Sequence, residues 1–218
     1  MPEVLYISYD GMTDTLGQSQ VLPYLVGLSK KGFRFTLISF EKKKNFSIRK
    51  NEVETICSCS NIRWIPLSYT KNPPVISTLL DYRKMIRKAG QLHKIHNFKI
   101  VHCRSYIAAL AGLHLKKKHG IKFIFDMRGF WADERVDGLL WNLKNPVYKI
   151  IYRFFKRKER EFLSLSDKVI SLTHVAKKDL LQWNIENLDA GKIKVIPCTA
   201  DFRLFRLITP ESKVLARQ

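Results

Sequence analysis

Short apolar runs recur along the chain, each bounded by charged or turn-forming residues. Between them lie longer stretches whose apolar positions repeat every three to four residues. The short runs predict strands at Val4–Tyr9, Phe33–Phe40, Ile62–Tyr69, Lys99–Arg104, Lys122–Met127, Lys168–Leu172 and Lys192–Pro197. The longer ones predict helices near Ser19–Lys31, Ser47–Cys57, Ile76–Ile95, Ile107–His119, Pro146–Ser164 and Val175–Trp183. Strand–helix–strand units with crossovers of this length require parallel pairing, and several strands are apolar on both faces, as a doubly covered sheet demands. The expected fold class is α/β: a doubly wound, mostly parallel Rossmann-like sheet with helices on both faces. No internal repeat or low-complexity segment interrupts it.

In such a sheet ligands bind beyond the carboxyl ends of the strands. The residues expected there are Asp10-Gly11, Arg104-Ser105-Tyr106, Arg128-Gly129-Phe130-Trp131, Thr173-His174 and Cys198-Thr199-Ala200-Asp201. The first loop, YDGMTDTLGQSQVLPYL from Tyr9 to Leu25, sits where many α/β proteins cradle phosphate. Yet neither GxGxxG nor GxxxxGK[ST] occurs anywhere, which disfavours a dinucleotide reader or a P-loop enzyme. Gly17, lacking Cβ, either brings backbone N–H groups close to an anion at the next helix or turns the chain in a left-handed conformation. Pro23 fits only within a first helical turn, which puts the helix start near Ser19 or Gln20.

Composition narrows the classes. The 218 residues are 45% hydrophobic, enough for one large core. No run approaches the roughly 20 residues that span a bilayer. MPEVLYISYDG lacks a basic leader and a cleavage-type site, so a cytosolic protein is expected. Cys57, Cys59, Cys103 and Cys198 lack zinc-type spacing and read as reduced thiols. The net charge of +20 favours polyanions: nucleic acid, an acidic membrane face or anionic substrates.

The segment YDGMTDTLGQSQVLPYLVGLSKKG resembles the opening of retaining glycosyltransferases of the GT-B fold, specifically family 4. VHCRSYIAALAG, FIFDMRGFWADE, DKVISLTHVAKKDL and VIPCTADFRLF resemble that family's later strand-end motifs, in the same order. The resemblance covers essentially the whole chain and implies the N-terminal, acceptor-binding half of a GT-B enzyme over residues 1–205. Residues 206–218 would begin the interdomain linker. The family's donor-binding domain carries two glutamates separated by seven residues; no pair here has that spacing, and the implied C-terminal donor-binding domain or subunit lies outside this sequence.

The resemblance also assigns roles. Gly17 and Gln18 would cap the donor diphosphate from this side of the cleft. Where many relatives carry histidines after the fourth and fifth strands, this chain has Arg104 and Arg128. As candidate catalytic groups they suit bidentate phosphate or carboxylate binding, with a loop-bracing pair from Arg128 to Asp126 or Glu134 as the alternative. Asp10, Asp14, Trp131, Asp133, Glu134 and His174 are candidate acceptor contacts. Their alternatives are turn bonding for the first two, a core ring for Trp131 and a helix cap for Asp133. No DxD triplet occurs, in keeping with an implied absence of metal and cofactor, the nucleotide-sugar being a co-substrate.

The basic, aromatic helix NPVYKIIYRFFKRKEREFL either presses on an anionic membrane surface or faces the core through Val147, Ile151 and Phe154, widened by Tyr148, Tyr152, Phe155 and Phe162. The expected function is a hexosyl-type retaining transferase, inactive as this isolated half. It would move sugar from a nucleotide-sugar to a saccharide or lipid-linked acceptor in cell-surface polysaccharide or glycolipid assembly, at the cytosolic membrane face. A nucleic-acid-binding module has no motif to support it; a half-enzyme recruiting a donor-binding subunit through an apolar FRLFRL patch is the third reading.

Overall fold

A computed structural model describes residues 3–73 and 75–199 of the chain. Asp201, the FRLFRL stretch and the linker over 206–218 lie outside the described residues. Seven strands form one sheet: β1 Glu3–Ser8, β2 Arg34–Glu41, β3 Ile62–Ser68, β4 Ile100–Arg104, β5 Lys122–Asp126, β6 Lys168–Ser171 and β7 Ile193–Val195. Their order is β3-β2-β1-β4-β5-β6-β7 and every pairing is parallel. The expected fold class is thus the observed one. The order reverses between β1 and β4, and that switch point is where an open α/β sheet leaves a crevice.

The helices are α1 Leu22–Ser29, α2 Lys43–Cys59, α3 Ile76–His96, α4 Ser105–His119, α5 Trp131–Asp137, α6 Pro146–Leu165 and α7 His174–Gln182. α1 and α2 pack together on β2 and β3, whereas α4 packs on β4 and β5 and is flanked by α3 and α6. Two cores result. Val4, Tyr6, Leu25, Leu37 and Val53 fill one face, and Leu5, Ile7, Phe123, Phe125 and Phe162 the other. Alternate residues of β1 supply opposite faces, which is why the strand reads as unbroken apolar sequence.

Local chemistry explains several boundaries. Asn145 caps α6 by accepting from Val147 N–H at 2.9 Å, with Pro146 just inside the helix. α4 presses a small-residue face on the sheet, and a Cβ on Gly112 would meet Cys103 Sγ at 2.5 Å. Its last turn carries Lys116, Lys117, Lys118 and His119, favourable against the negative helix end. All four cysteines are free; burial raises the Cys57 thiol to about 12, with Glu41 and Glu54 adding to the effect.

Three expectations need correction. The first helix begins at Thr15, not Ser19 or Gln20, and runs as a π turn over Gly17–Val21 before α1. Leu22 N–H reaches back to Gly17 O, and the widened turn delivers the chain to Pro23, which has no N–H to place. Gly17 is not left-handed. It is buried, and a Cβ there would lie 2.1 Å from Gly11 O. Asp133 does not cap a helix but lies inside the short helix α5, whose N-cap position is Phe130. The first turn of α5 carries Asp133 and Glu134 at the positive helix end, and no side chain caps it.

Candidate functional site

The carboxyl ends of the central strands hold polar groups at one level. Ser8 on β1 is in register with Arg104 on β4, which is in register with Asp126 on β5. All three are buried. Such positions are costly for polar side chains unless partners are supplied.

Arg104 donates from Nε to Asp10 Oδ2 at 3.3 Å across the switch point, and from Nη2 to Gln20 Oε1 at 2.8 Å. Arg128 Nη2 donates to the same Gln20 oxygen at 2.8 Å and contacts Cys198 Sγ at 2.9 Å. A neutral amide therefore brings two guanidinium groups side by side. Asp10 and Asp126 offset their charge in part, but Asp126 Oδ1 stands 3.9 Å from Arg128 Nη1, too far for a hydrogen bond. The Arg104 side chain is 6% exposed and that of Arg128 20%, so Arg128 presents more of its surface to the crevice.

The backbone at Arg128 and just after Arg104 is unusual. Arg128 has φ +63°, and Ser105, immediately after Arg104, has φ +65°. Left-handed backbone at non-glycine residues costs roughly 1–2 kcal/mol each. Strain of this kind thus sits at two adjacent strand ends, beside the arginine pair.

Beneath them lies a half-satisfied polar layer. His102 packs against Tyr6 with the rings tilted and 4.6 Å between centroids, and its Nε2 is 3.7 Å from Asp126 Oδ2. His102 Nε2 and Asp126 Oδ1 are buried and make no hydrogen bond among the described residues. Burial, followed by the Asp126 charge, pushes the Tyr6 phenol well above its ordinary range and keeps it neutral.

The first loop is clamped from below by Glu41, the last residue of β2. Its buried carboxylate accepts from Met12 N–H at 2.8 Å, Thr13 N–H at 3.0 Å, Thr13 Oγ1 at 2.5 Å and Ser39 Oγ at 2.6 Å. Gly11 is required by the same clamp, because a Cβ would meet Glu41 Oε2 and Phe40 O, each at 2.8 Å.

The chain matches the model of Glycosyltransferase Family 4 over residues 20–203. It belongs to glycosyltransferase family 4. A comparison with curated protein sequences gives no match. Among solved structures, sucrose-phosphate synthase from Thermosynechococcus elongatus superposes with a TM-score of 0.64 at 13% identity, covering 100% of this chain and 53% of that one. HepE from Anabaena, in complex with UDP and glucose, gives 0.58 at 12% identity, with 100% and 50% covered. A glycosyltransferase from Rickettsia africae gives 0.53 at 15% identity, with 99% and 48% covered. The chain thus spans about half the length of these neighbours, and the likeness establishes a shared fold.

Within this family 4 domain the candidate residues separate into groups. Arg104 and Arg128 converge on Gln20, and Asp10 joins them through Arg104. Asp14 does not join them; it pairs with Lys42 Nζ at 2.7 Å and Asn45 Nδ2 at 2.5 Å. Gln18 donates its backbone N–H to Asp14 O, and its side-chain Oε1 accepts from Arg49 Nη1 of α2 at 2.8 Å, while its Nε2 is buried with no partner among the described residues. Trp131 stacks on Tyr106 and lies under the Arg135 guanidinium, 5.0 Å from the ring centre. Asp133 accepts from Tyr152 Oη at 2.8 Å and Lys156 Nζ at 2.7 Å. Glu134 lies over Gly129, and His174 stands exposed at the start of α7.

Gln20, Glu41, His102 and Asp126 were not singled out by sequence. Asp126 stood in the quoted strand as a bracing partner only, and Glu41 ends β2 with the same strand-terminal placement as Arg104. That placement was a signal available to find it.

Proposed function

We propose that this chain is the acceptor-side half of a retaining glycosyltransferase, working with a second, donor-binding Rossmann-like domain. It transfers a sugar from a nucleotide-sugar to a saccharide or lipid-linked acceptor without a catalytic metal. The observation that carries this reading is the convergence of Arg104 and Arg128 on Gln20 Oε1 at the sheet's switch point, 2.8 Å from each. Two like charges held together beside a crevice gain most when an anion enters. The bound UDP-glucose of the HepE neighbour supports a nucleotide diphosphate as that anion.

In this reading Arg128 touches the departing diphosphate as its charge grows, the main stabilisation such a displacement needs. Arg104, more deeply buried, positions Asp10 and Gln20. Asp10, half in solvent, orients the acceptor hydroxyl, so that the two reactants meet in a fixed geometry.

The test starts from native protein, immunopurified from source cells, its mass recorded, and assayed with labelled UDP- and GDP-sugars against endogenous glycan and lipid extract. Transfer that preserves anomeric configuration, persists in chelator and is lost with Arg128→Ala supports the proposal. Neither transfer nor donor hydrolysis with any nucleotide-sugar would overturn it.

A further inference from the structure

The corner formed by α5, the following loop and the first half of α6 has an exposed apolar surface with no role in the core. α6 faces the core through Phe155, Phe162 and Leu163, not through Val147 and Phe154 as its periodicity suggested. Val147, Ile150 and Phe154 form an adjoining stripe, 51%, 68% and 38% exposed. Leu139 and Leu140, in the loop before α6, are 89% and 59% exposed. Leu139 also has φ +58°. A leucine thrust into solvent on strained backbone serves no folding purpose.

Basic charge predominates along this stripe, although Glu134 and Asp137 of α5 are exposed at its near end. From Leu139 to Lys158 there are six Lys or Arg residues and no Asp or Glu. Lys156 turns inward to Asp133 and Glu159, whereas Lys144, Lys149, Arg153 and Arg157 have no ion-pair partner among the described residues.

A second surface repeats the pattern. At the start of α3, Val75, Ile76, Leu79 and Leu80 are 43–56% exposed, and Val75 has φ +68°. Exposed Arg83, Lys84 and Arg87 follow, and Asp81 is buried. α3, α4 and α6 form one layer on one face of the sheet. α3 follows β3 and α6 precedes β6, so both helix N-termini lie at the carboxyl edge, the edge that holds the arginine pair.

We propose that these two corners form a docking surface for a bilayer bearing anionic phospholipid. Leu139, Leu140, Ile150 and Phe154 insert at the headgroup boundary while Lys149, Arg153 and Arg157 lie over the phosphates. The chemistry is that of an interfacial helix, apolar insertion combined with attraction to acidic lipid. Docking would hold the crevice at the membrane surface, where a lipid-linked acceptor presents its head. Binding itself requires no assumption about sugar transfer, so its failure and the failure of the transfer reading are separable.

The test is co-sedimentation of the chain with vesicles of phosphatidylcholine, with and without about 30% phosphatidylglycerol. The chain should bind the anionic vesicles and bind less as salt rises. Paired Leu139→Asp with Leu140→Asp, and paired Ile150→Asp with Phe154→Asp, should each lower partitioning about tenfold or more. Ile48→Asp on α2 and Ile95→Asp near the opposite end of α3 replace equally exposed side chains, 71% and 73%, away from this surface. They should change it less than about twofold, with circular dichroism unchanged in all. No binding to anionic vesicles at low salt, or equal binding by patch variants and wild type, would overturn the proposal. A dimer dissolved by Ile150→Asp without vesicle binding would assign the face to a second copy and equally overturn it.

Discussion

Gln20 and Arg128 are 108 positions apart in the chain, yet the Gln20 amide oxygen accepts from Arg128 Nη2 at 2.8 Å and from Arg104 Nη2 at the same distance. A neutral residue at this point leaves the guanidinium pair available to a visiting anion. Gln20→Glu places a carboxylate between the two, an internal substitute for that anion. The variant is expected to melt higher than wild type, because two charge-assisted bonds replace two neutral-acceptor bonds. Donor KM should rise about tenfold, equivalent to about 1.4 kcal/mol of competition. Thermal melting and steady-state kinetics of the complete enzyme check both; a higher melting point with unchanged KM would separate the pair from donor binding.

The strained backbone of Arg128 gives a prediction free of substrate. Glycine adopts φ +63° at no steric cost, while alanine retains the penalty and, like glycine, loses the Gln20 contact. Arg128→Gly should therefore be more stable than Arg128→Ala by about 1 kcal/mol, reversing the usual order of the two residues. Paired urea titrations measure it. Both variants should lose transfer activity, since neither presents a cation to the diphosphate.

Much of the sheet was legible because a doubly covered strand has no polar face to confuse the pattern. All seven strands of the described residues fall within a residue or two of the apolar runs that predicted them. What escaped was set by contacts distant in sequence. The start of the first helix was misplaced because Pro23 was given a first turn, whereas a π turn reaches it from Thr15. α5 entered only as the cap alternative for Asp133 because Trp131–Asp137 is too short to show a period, and Asp133 looks as free in sequence as it is occupied in the fold. The arginines at the ends of β4 and β5 were visible from their strands; Gln20, which unites them, was not. Glu41 looks like one more surface acid in FEKKK until Met12 and Thr13 are seen to fold over it.

The acid limb of stability has an identifiable contributor. Burial alone would raise the Asp167 carboxyl, but Lys116 at 2.6 Å and the Phe123 N–H at 2.7 Å outweigh it and hold the group below its ordinary value of 3.8. A depressed folded value means that the unfolded chain takes up the proton first. The stabilisation is therefore complete above about pH 5 and is lost as pH falls through 3.8 and then through the lower folded value. Glu161, paired with Lys117 and Lys158, acts in the same direction. Asp167→Asn should lower stability at neutral pH and flatten the decline below about pH 4, measured by urea titration across that range. An unchanged slope would show that the pair contributes nothing measurable, as exposed ion pairs often do.

Two glycines in the same helical stretch should respond oppositely to one methyl group. Gly17 is buried in the π turn, and a Cβ would sit 2.1 Å from Gly11 O and 2.6 Å from Met12 Cα, backbone atoms that Glu41 holds in place. They cannot move without breaking that clamp, so Gly17→Ala should cost about 3 kcal/mol, at the upper end of overpacking penalties. Gly27 lies on the exposed side of α1, where an added Cβ would meet nothing within 4 Å. There alanine restricts the unfolded chain and favours the helix, so Gly27→Ala should stabilise by about 0.5–1 kcal/mol. Equal effects of the two substitutions would mean that the first loop yields to the added methyl. In that case the close approach of Gly17 to Gly11 would not be what fixes Asp10 and Gln20 beside the arginines.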